Sequence, residues 1–315
     1  MSVPAWQEAL SGFDILAISA AVGGIAALLW LLPGTDTPAT WRTDIRRHLR
    51  LFLAATLALL TLTSVAVLIA RSIAISGRPL LDVGDVVPLV LMQTDFGHIW
   101  FVRGGAVVLL WIAWAASKPA RRQSLLYWLL LALVAAVAYT RSATGHAGDH
   151  GDLQIPVWVD WLHLLAAGLW GGVVIAFVVA VRPVLRQQQS QAGRAEVAER
   201  FSSVAAAGLG LVVATGIYNA WHTLGGWRPL WTTRYGVILD IKVGLVIAMA
   251  LLGATNRFRH VPAVLKAGRG TAAPLKRAGA FRSLAATAAA ETLLMLAILA
   301  VVALLVNGMP PADMP

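Results

Sequence analysis

Five histidines, one aspartate and a short set of intramembrane charges are the residues of this chain that could do chemistry. His163 lies in the stretch Asp160–Gly172, DWLHLLAAGLWGG, inside an apolar run that continues to Val181. On a helix, Asp160, His163, Ala167, Trp170 and Gly171 share one face, because residues three and four apart are neighbours there. A carboxylate and an imidazole are costly in lipid and face a bundle interior or a water-filled cavity. His98 opens a second apolar segment, and His222 closes a third after a polar stripe of Thr215, Tyr218 and Asn219. His146 and His150 sit in the glycine-rich loop TGHAGDHGD, beside Asp149 and Asp152. Neutral imidazole is the commonest biological metal ligand and suits copper, zinc, nickel and iron. The chain has no cysteine, which excludes disulfides and thiolate metal sites. Its six methionines form no motif, although Met92, Met309 and Met314 fall on the same side as the five histidines. Taken singly, each histidine is more often a hydrogen-bonded amphipath at an interface than a ligand. Their coincidence on one side points to a metal site.

A second set, Arg103, Asp240, Lys242 and Glu291, falls inside apolar segments. Arg103, Asp240 and Lys242 are expected at similar depth, so mutual neutralisation is the expectation for them. Glu291 has no basic residue level with it. It reads either as a relay for a cation or proton, or as a protonated carboxyl bonded to nearby backbone.

The elements that must position these groups are membrane helices. Hydrophobic residues make up 58% of the chain and charged residues 13%, with a mean hydropathy of +0.74, far from a soluble domain. Runs of about 20 apolar residues predict eight spans, at 12–32, 50–71, 97–116, 124–141, 157–181, 201–221, 235–255 and 284–306. Most Lys and Arg fall in alternate connections: Arg42, Arg46, Arg47 and Arg50; Lys118, Arg121 and Arg122; Arg182, Arg186, Arg194 and Arg200; and seven between Arg257 and Arg282. The positive-inside rule places these loops in the cytoplasm and both termini outside. The five histidines then share the outer surface. The net charge of +10 is explained by topology, so no nucleic acid partner is expected. Trp100, Trp128, Trp158, Trp161, Trp221, Trp227 and Trp231 fall near span ends, where amphipathic rings prefer the interface. The first apolar segment follows Glu8 without a preceding Lys or Arg, so it is expected to be a retained span rather than a signal peptide. The polar stretch 187–200 is expected to be a helical or flexible linker, and the basic stretch 261–283 to touch anionic headgroups. No internal repeat is evident. The fold class expected is all-α: a polytopic membrane protein whose residues 1–315 form one eight-helix bundle.

HLLAAGLWGG resembles the signature of the copper resistance protein D (CopD) family of bacterial inner-membrane proteins. TDFGHIWFVR at 94–103, SATGHAGD at 142–149, FSSVAAAGLGLVVATGIYNAW at 201–221, TTRYGVILDIKVGL at 232–245 and ATNRF at 254–258 fit the same family in the same order. The resemblance covers roughly residues 90–300. It implies eight spans, copper as the metal, and import from periplasm to cytoplasm in partnership with a small periplasmic copper chaperone of the CopC type. Some relatives carry that chaperone fused; here the first span starts so early that a separate protein is expected. Carried over by position, His98, His146, His163 and His222 match the family's recurrent polar sites, with His150 beside them.

The leading expectation is therefore copper transport through outer-face histidines toward Glu291, with Asp160 orienting His163 and with Tyr218, Asn219, Arg103, Asp240 and Lys242 along the way. Two other classes use the same residues. A b-type haem protein would ligate haem through paired histidines, but the cytoplasmic side offers only His48 and His260. An assembly factor would hold copper outside and pass it to a cuproenzyme. No nucleotide-binding or nucleophile–base motif is present, so neither ATP hydrolysis nor other hydrolytic chemistry is expected, and the one enzymatic alternative left is a membrane redox role.

Overall fold

The computed structural model describes residues 5–32, 39–118, 124–148, 151, 153–187, 190–270, 274–306 and 311–313. Among them are eight helices long and apolar enough to cross a membrane: α1 (Trp6–Leu31), α2 (Ala39–Ser76), α3 (Asp95–Ala116), α4 (Ser124–Ala143), α5 (Ile155–Gln187), α6 (Gln191–Leu224), α7 (Arg234–Gly268) and α8 (Gly279–Val306). No strand occurs among the described residues. In lipid this is expected, since a helix satisfies its backbone groups within one segment.

The eight expected spans are all present, but several helices outrun them. α2 has 38 residues, about 57 Å at 1.5 Å per residue, well beyond one bilayer core. Its extra turns carry Arg42, Arg46 and Arg47. The polar stretch after 190 is the first part of α6, opened by Ser190, whose hydroxyl caps Gly193 N–H. Apolar length sets how much helix crosses lipid; it does not set where the helix stops.

The two ends of the assembly differ. Gly225 and Ala312 approach one another at the end where α1 begins and α8 finishes, the mouth end. At the opposite, basic end, Arg50 donates to the Trp114 carbonyl, Arg194 to the Leu185 carbonyl and Arg257 to the Ser202 carbonyl. The main buried core draws on all eight helices, from Ile15 to Leu299. Its tightest point is the crossing of α1 and α5. Within α5, residues Gly168–Gly172 form a π-helical turn, a geometry that often marks functional sites. There a Cβ on Gly23 would overlap the Gly172 backbone, and one on Gly172 would overlap the Ser19 carbonyl. Only glycine lets the two backbones meet, as in small-residue crossings generally.

Contrary to the sequence reading, the structure contains an internal repeat. Just before α3 the short helix Val86–Gln93 ends at Thr94, and just before α7 the short helix Pro229–Thr232 ends at Thr233. Thr94 has φ −124°, ψ 149° and Thr233 φ −118°, ψ 152°. Each hydroxyl accepts from a glycine N–H three residues on, Gly97 and Gly236, both at 3.0 Å. Each also donates to the carbonyl four residues back, Val90 and Pro229, both at 2.6 Å. Nine positions after the threonine stands a cation, Arg103 in α3 and Lys242 in α7. A carboxylate matches each on the first helix of its half, the buried Asp14 in α1 and the half-buried Asp160 in α5, both followed at six and seven positions by an Ala-Ala pair and then by a Gly-Gly pair. The Gly-Gly pair falls two residues later in α5, within the π-helical turn. The extra residues of that turn, together with the Arg/Lys and Phe/Tyr exchanges, hide the repeat in the linear sequence.

Candidate functional site

The two carboxylate–cation sets are built alike and finished differently. In the first, Asp14 and Arg103 are both 0% exposed and form an ion pair. Thr63 Oγ1 donates to Asp14 at 2.9 Å, and Arg103 Nε donates to Ser64 Oγ at 2.8 Å. The guanidinium lies 4.7 Å from the Trp100 ring centroid. Arg141 of α4 brings its Nε to 3.7 Å from the other Asp14 oxygen. This disposition corrects the expectation that Arg103, Asp240 and Lys242 neutralise one another. Arg103 pairs with Asp14 on α1, Asp240 is exposed on the outer surface of α7, and Lys242 turns inward toward Asp160. Similar depth does not bring side chains together when they occupy different helix faces.

The second set opens into a cavity of about 520 Å³ at the mouth end, between α5, α6, α7 and α8. Asp160, His163, Ala167 and Trp170, four of the five residues of the face read from the sequence, line it, and the fifth, Gly171, packs against Met295. Asp160 accepts from Ser142 Oγ at 2.7 Å and from Asn219 Nδ2 at 3.4 Å. Arg141 and Lys242 both lie within Coulombic reach of it.

His163 is oriented by Thr215, not by Asp160. Its Nδ1 is 2.9 Å from Thr215 Oγ1. The Thr215 hydroxyl already donates its hydrogen to the Leu211 carbonyl at 2.6 Å, so it accepts from His163. The hydrogen-bond network therefore assigns the proton to Nδ1 and leaves the Nε2 lone pair free. That arrangement is how a ligand histidine is held ready for a metal, with the other ring nitrogen tied to a protein group. One turn of α6 separates Thr215 from Asn219, which explains how a single polar stripe serves both His163 and Asp160.

The remaining candidates scatter. His222 is exposed at the cavity mouth, with its ring 6.0 Å from Tyr218 and 18° from parallel. His98 is exposed on α3 and lies outside the cavity lining. The backbone of His146 forms a 3-10 turn whose neighbours Gly145 and Ala147 line the mouth. The His146 side chain, His150, Asp149, Asp152, Met309 and Met314 lie outside the described residues, and Met92 is exposed. Among the described residues, no group of three or more His, Asp or Glu is assembled to hold a metal ion. The described ligand donors are thus individual stations, not a finished cage.

Below the cavity the structure adds a residue that sequence reasoning missed. Met295 of α8 lines the cavity and sits against Gly171, where any Cβ would overlap its thioether. One turn further along α8, Glu291 is 1% exposed and accepts a hydrogen bond from the Asn256 side-chain amide. Its partner is thus a side chain of a π-helical turn in α7, Asn256–His260, rather than nearby backbone. The spacing of Met295 four residues after Glu291 was the available signal.

Fold and site together define an all-helical membrane protein of repeated halves, in which one half carries an open cavity with a single preset imidazole. The model for copper resistance protein D matches residues 195–305, and that for the copper resistance protein D-like N-terminal domain matches residues 7–155. Copper resistance protein D of Pseudomonas syringae pv. tomato is 30% identical over 226 residues, covering 69% of this chain and 71% of that protein. The chain belongs to the copper resistance protein D family. Copper transport protein CutJ of Bacillus subtilis is 29% identical over 168 residues, which span 53% of this chain but only 31% of CutJ. Inner membrane protein YebZ of Escherichia coli is 28% identical over 172 residues, 55% of this chain and 57% of that protein. No solved structure matches the chain.

Proposed function

We propose that this protein carries copper inward across the bacterial inner membrane, entering at the mouth end and leaving at the basic end. In this reading the eight helices form one bundle with both termini in the periplasm, and the basic loops face the cytoplasm as the positive-inside rule requires. The supporting observation is the preset Nε2 of His163 inside the cavity. Copper arrives from a separate periplasmic chaperone of the CopC type, passes His222 at the mouth and binds His163. Met295 takes it next, at the cavity floor, and the Glu291–Asn256 pair receives it beyond. Imidazole and thioether are neutral ligands suited to Cu(I), and a neutral ligand set limits how tightly the ion is trapped at each station. Asp14 and Asp160 reduce, without cancelling, the positive charge of Arg103, Arg141 and Lys242 beside the route.

The test is the copper content of a deletion strain complemented with wild-type, His163→Ala or His98→Ala protein. Loss of copper accumulation with His163→Ala and full rescue with His98→Ala is expected. Equal copper in all three strains, with normal cuproenzyme activity in the uncomplemented deletion, would sink the proposal.

A further inference from the structure

A single metal ion does not need the cavity that surrounds His163. The volume of about 520 Å³ is in the range that holds an organic molecule. The wall given by α8 is wholly apolar, with Met295, Ile298, Leu299, Val302, Leu305 and Val306. On α6, Val213 and Ile217 are 46% and 68% exposed, and on α7, Val243 and Ile247 are 47% and 55% exposed, yet all four line the cavity. They lie roughly 10–20 Å along their helices from the mouth end, at 1.5 Å per residue. The cavity therefore opens sideways between α6 and α7 at the depth of lipid tails.

Charge gives the other half of the inference. The described ionic groups of the two linked sets are Asp14 and Asp160 against Arg103, Arg141 and Lys242, so one cation exceeds the carboxylates. Asp14 is already shared between Arg103 and Arg141, and Lys242 meets the cavity together with the hydrogen-bonding groups of Asn219 and Tyr235. A half-buried excess charge is costly unless something pairs with it. We propose that the cavity binds a single-chain acidic amphiphile from the bilayer, its carboxylate at Lys242 and its chain between Val246, Ile247, Ile298 and Val302. Entry is lateral, between α6 and α7. The site shares its cavity with His163, but it does not depend on the copper reading and is tested without copper.

The full-length, copper-free protein in nanodiscs of neutral lipid would be photolabelled with a diazirine-bearing C18 fatty acid, or with its methyl ester. Labelled residues would be mapped by peptide mass spectrometry. Labelling of the α7 and α8 cavity residues by the acid at least ten-fold above the ester is expected, with competition by excess oleate. Lys242→Gln should reduce the acid to the level of the ester. Should that variant fail to fold, Val302→Trp should block cavity labelling by filling the tail site. Equal labelling by acid and ester, or labelling confined to bilayer-facing residues such as Leu62 and Val108, would overturn the proposal.

Discussion

The two halves of this protein use one polar device to opposite ends. In the first half, Asp14 and Arg103 are sealed from solvent, joined as an ion pair and backed by Thr63, Ser64 and Trp100. In the second, Asp160 and Lys242 face a cavity and leave hydrogen-bonding capacity for a visitor. Three exchanges account for the difference. Arginine, whose fork suits a fixed carboxylate pair, gives way to lysine, a compact point charge on a flexible stem. Ala17, three residues after Asp14, gives way to His163, three residues after Asp160. A π-helical turn re-aims the helix beyond, bringing Trp170 to the cavity and Gly171 to Met295. A repeated scaffold thus keeps one copy sealed and opens the other onto a cavity.

The comparison breaks most severely where the halves touch. Gly172→Val places a side chain on the Ser19 carbonyl and should cost about 3 kcal/mol or more, as overpacking does at its worst. Gly104→Val meets nothing within 4 Å and should leave thermal unfolding and the yield of monodisperse protein unchanged. Similar behaviour of the two variants would mean that the α1–α5 crossing is looser than described.

The sealed and open carboxylates come next. Asp14→Asn strands Arg103 as a buried unpaired charge, and breaking such a pair costs about 3–5 kcal/mol. Asp160→Asn removes hydrogen bonds at the edge of a cavity and should cost about 1 kcal/mol. Denaturant unfolding in mild detergent measures both. Reversal of that order would assign the structural role to the second half.

A finer effect concerns the tautomer of His163. Thr215→Val keeps the shape but removes the acceptor for Nδ1–H, and loss of such an outer partner weakens metal binding about 10–100-fold. Competition with a chromophoric Cu(I) chelator reads this directly. Unchanged affinity would show that Nε2 is not the ligand atom.

The smallest effect lies at the surface. The Arg78 hydrogen bond holds the Asp85 carboxyl below its ordinary value. The pair's contribution is therefore present above the ordinary carboxylate pKa and fades as pH falls through the depressed one. Both side chains are largely exposed, so Asp85→Asn should leave the pH profile of unfolding almost unchanged. A clear change at acidic pH would contradict that.

Much of this was legible in the sequence. Eight apolar runs gave the eight helices, because apolar length is what a bilayer demands. The i, i+3 and i+7 spacing of Asp160, His163 and Ala167 marked the cavity face, because regular helix geometry decides it up to the π-helical turn. What stayed hidden depended on contacts between distant segments. Asp14 is one aspartate in a greasy helix until α3 brings Arg103 to it. Thr215 is one threonine among many until its hydroxyl is seen committed to Leu211. Met295 gains meaning only where Gly171 makes room for it. The expected gathering of five histidines did not account for helix faces: α3 turns His98 away from the cavity that His163 and His222 share.

The most direct test of the central claim is copper uptake into proteoliposomes loaded with a Cu(I) indicator, comparing wild type with His163→Ala and His98→Ala. Uptake abolished by His163→Ala and preserved in His98→Ala is the expected result. Wild-type uptake by His163→Ala, with protein of verified fold and orientation, would contradict it.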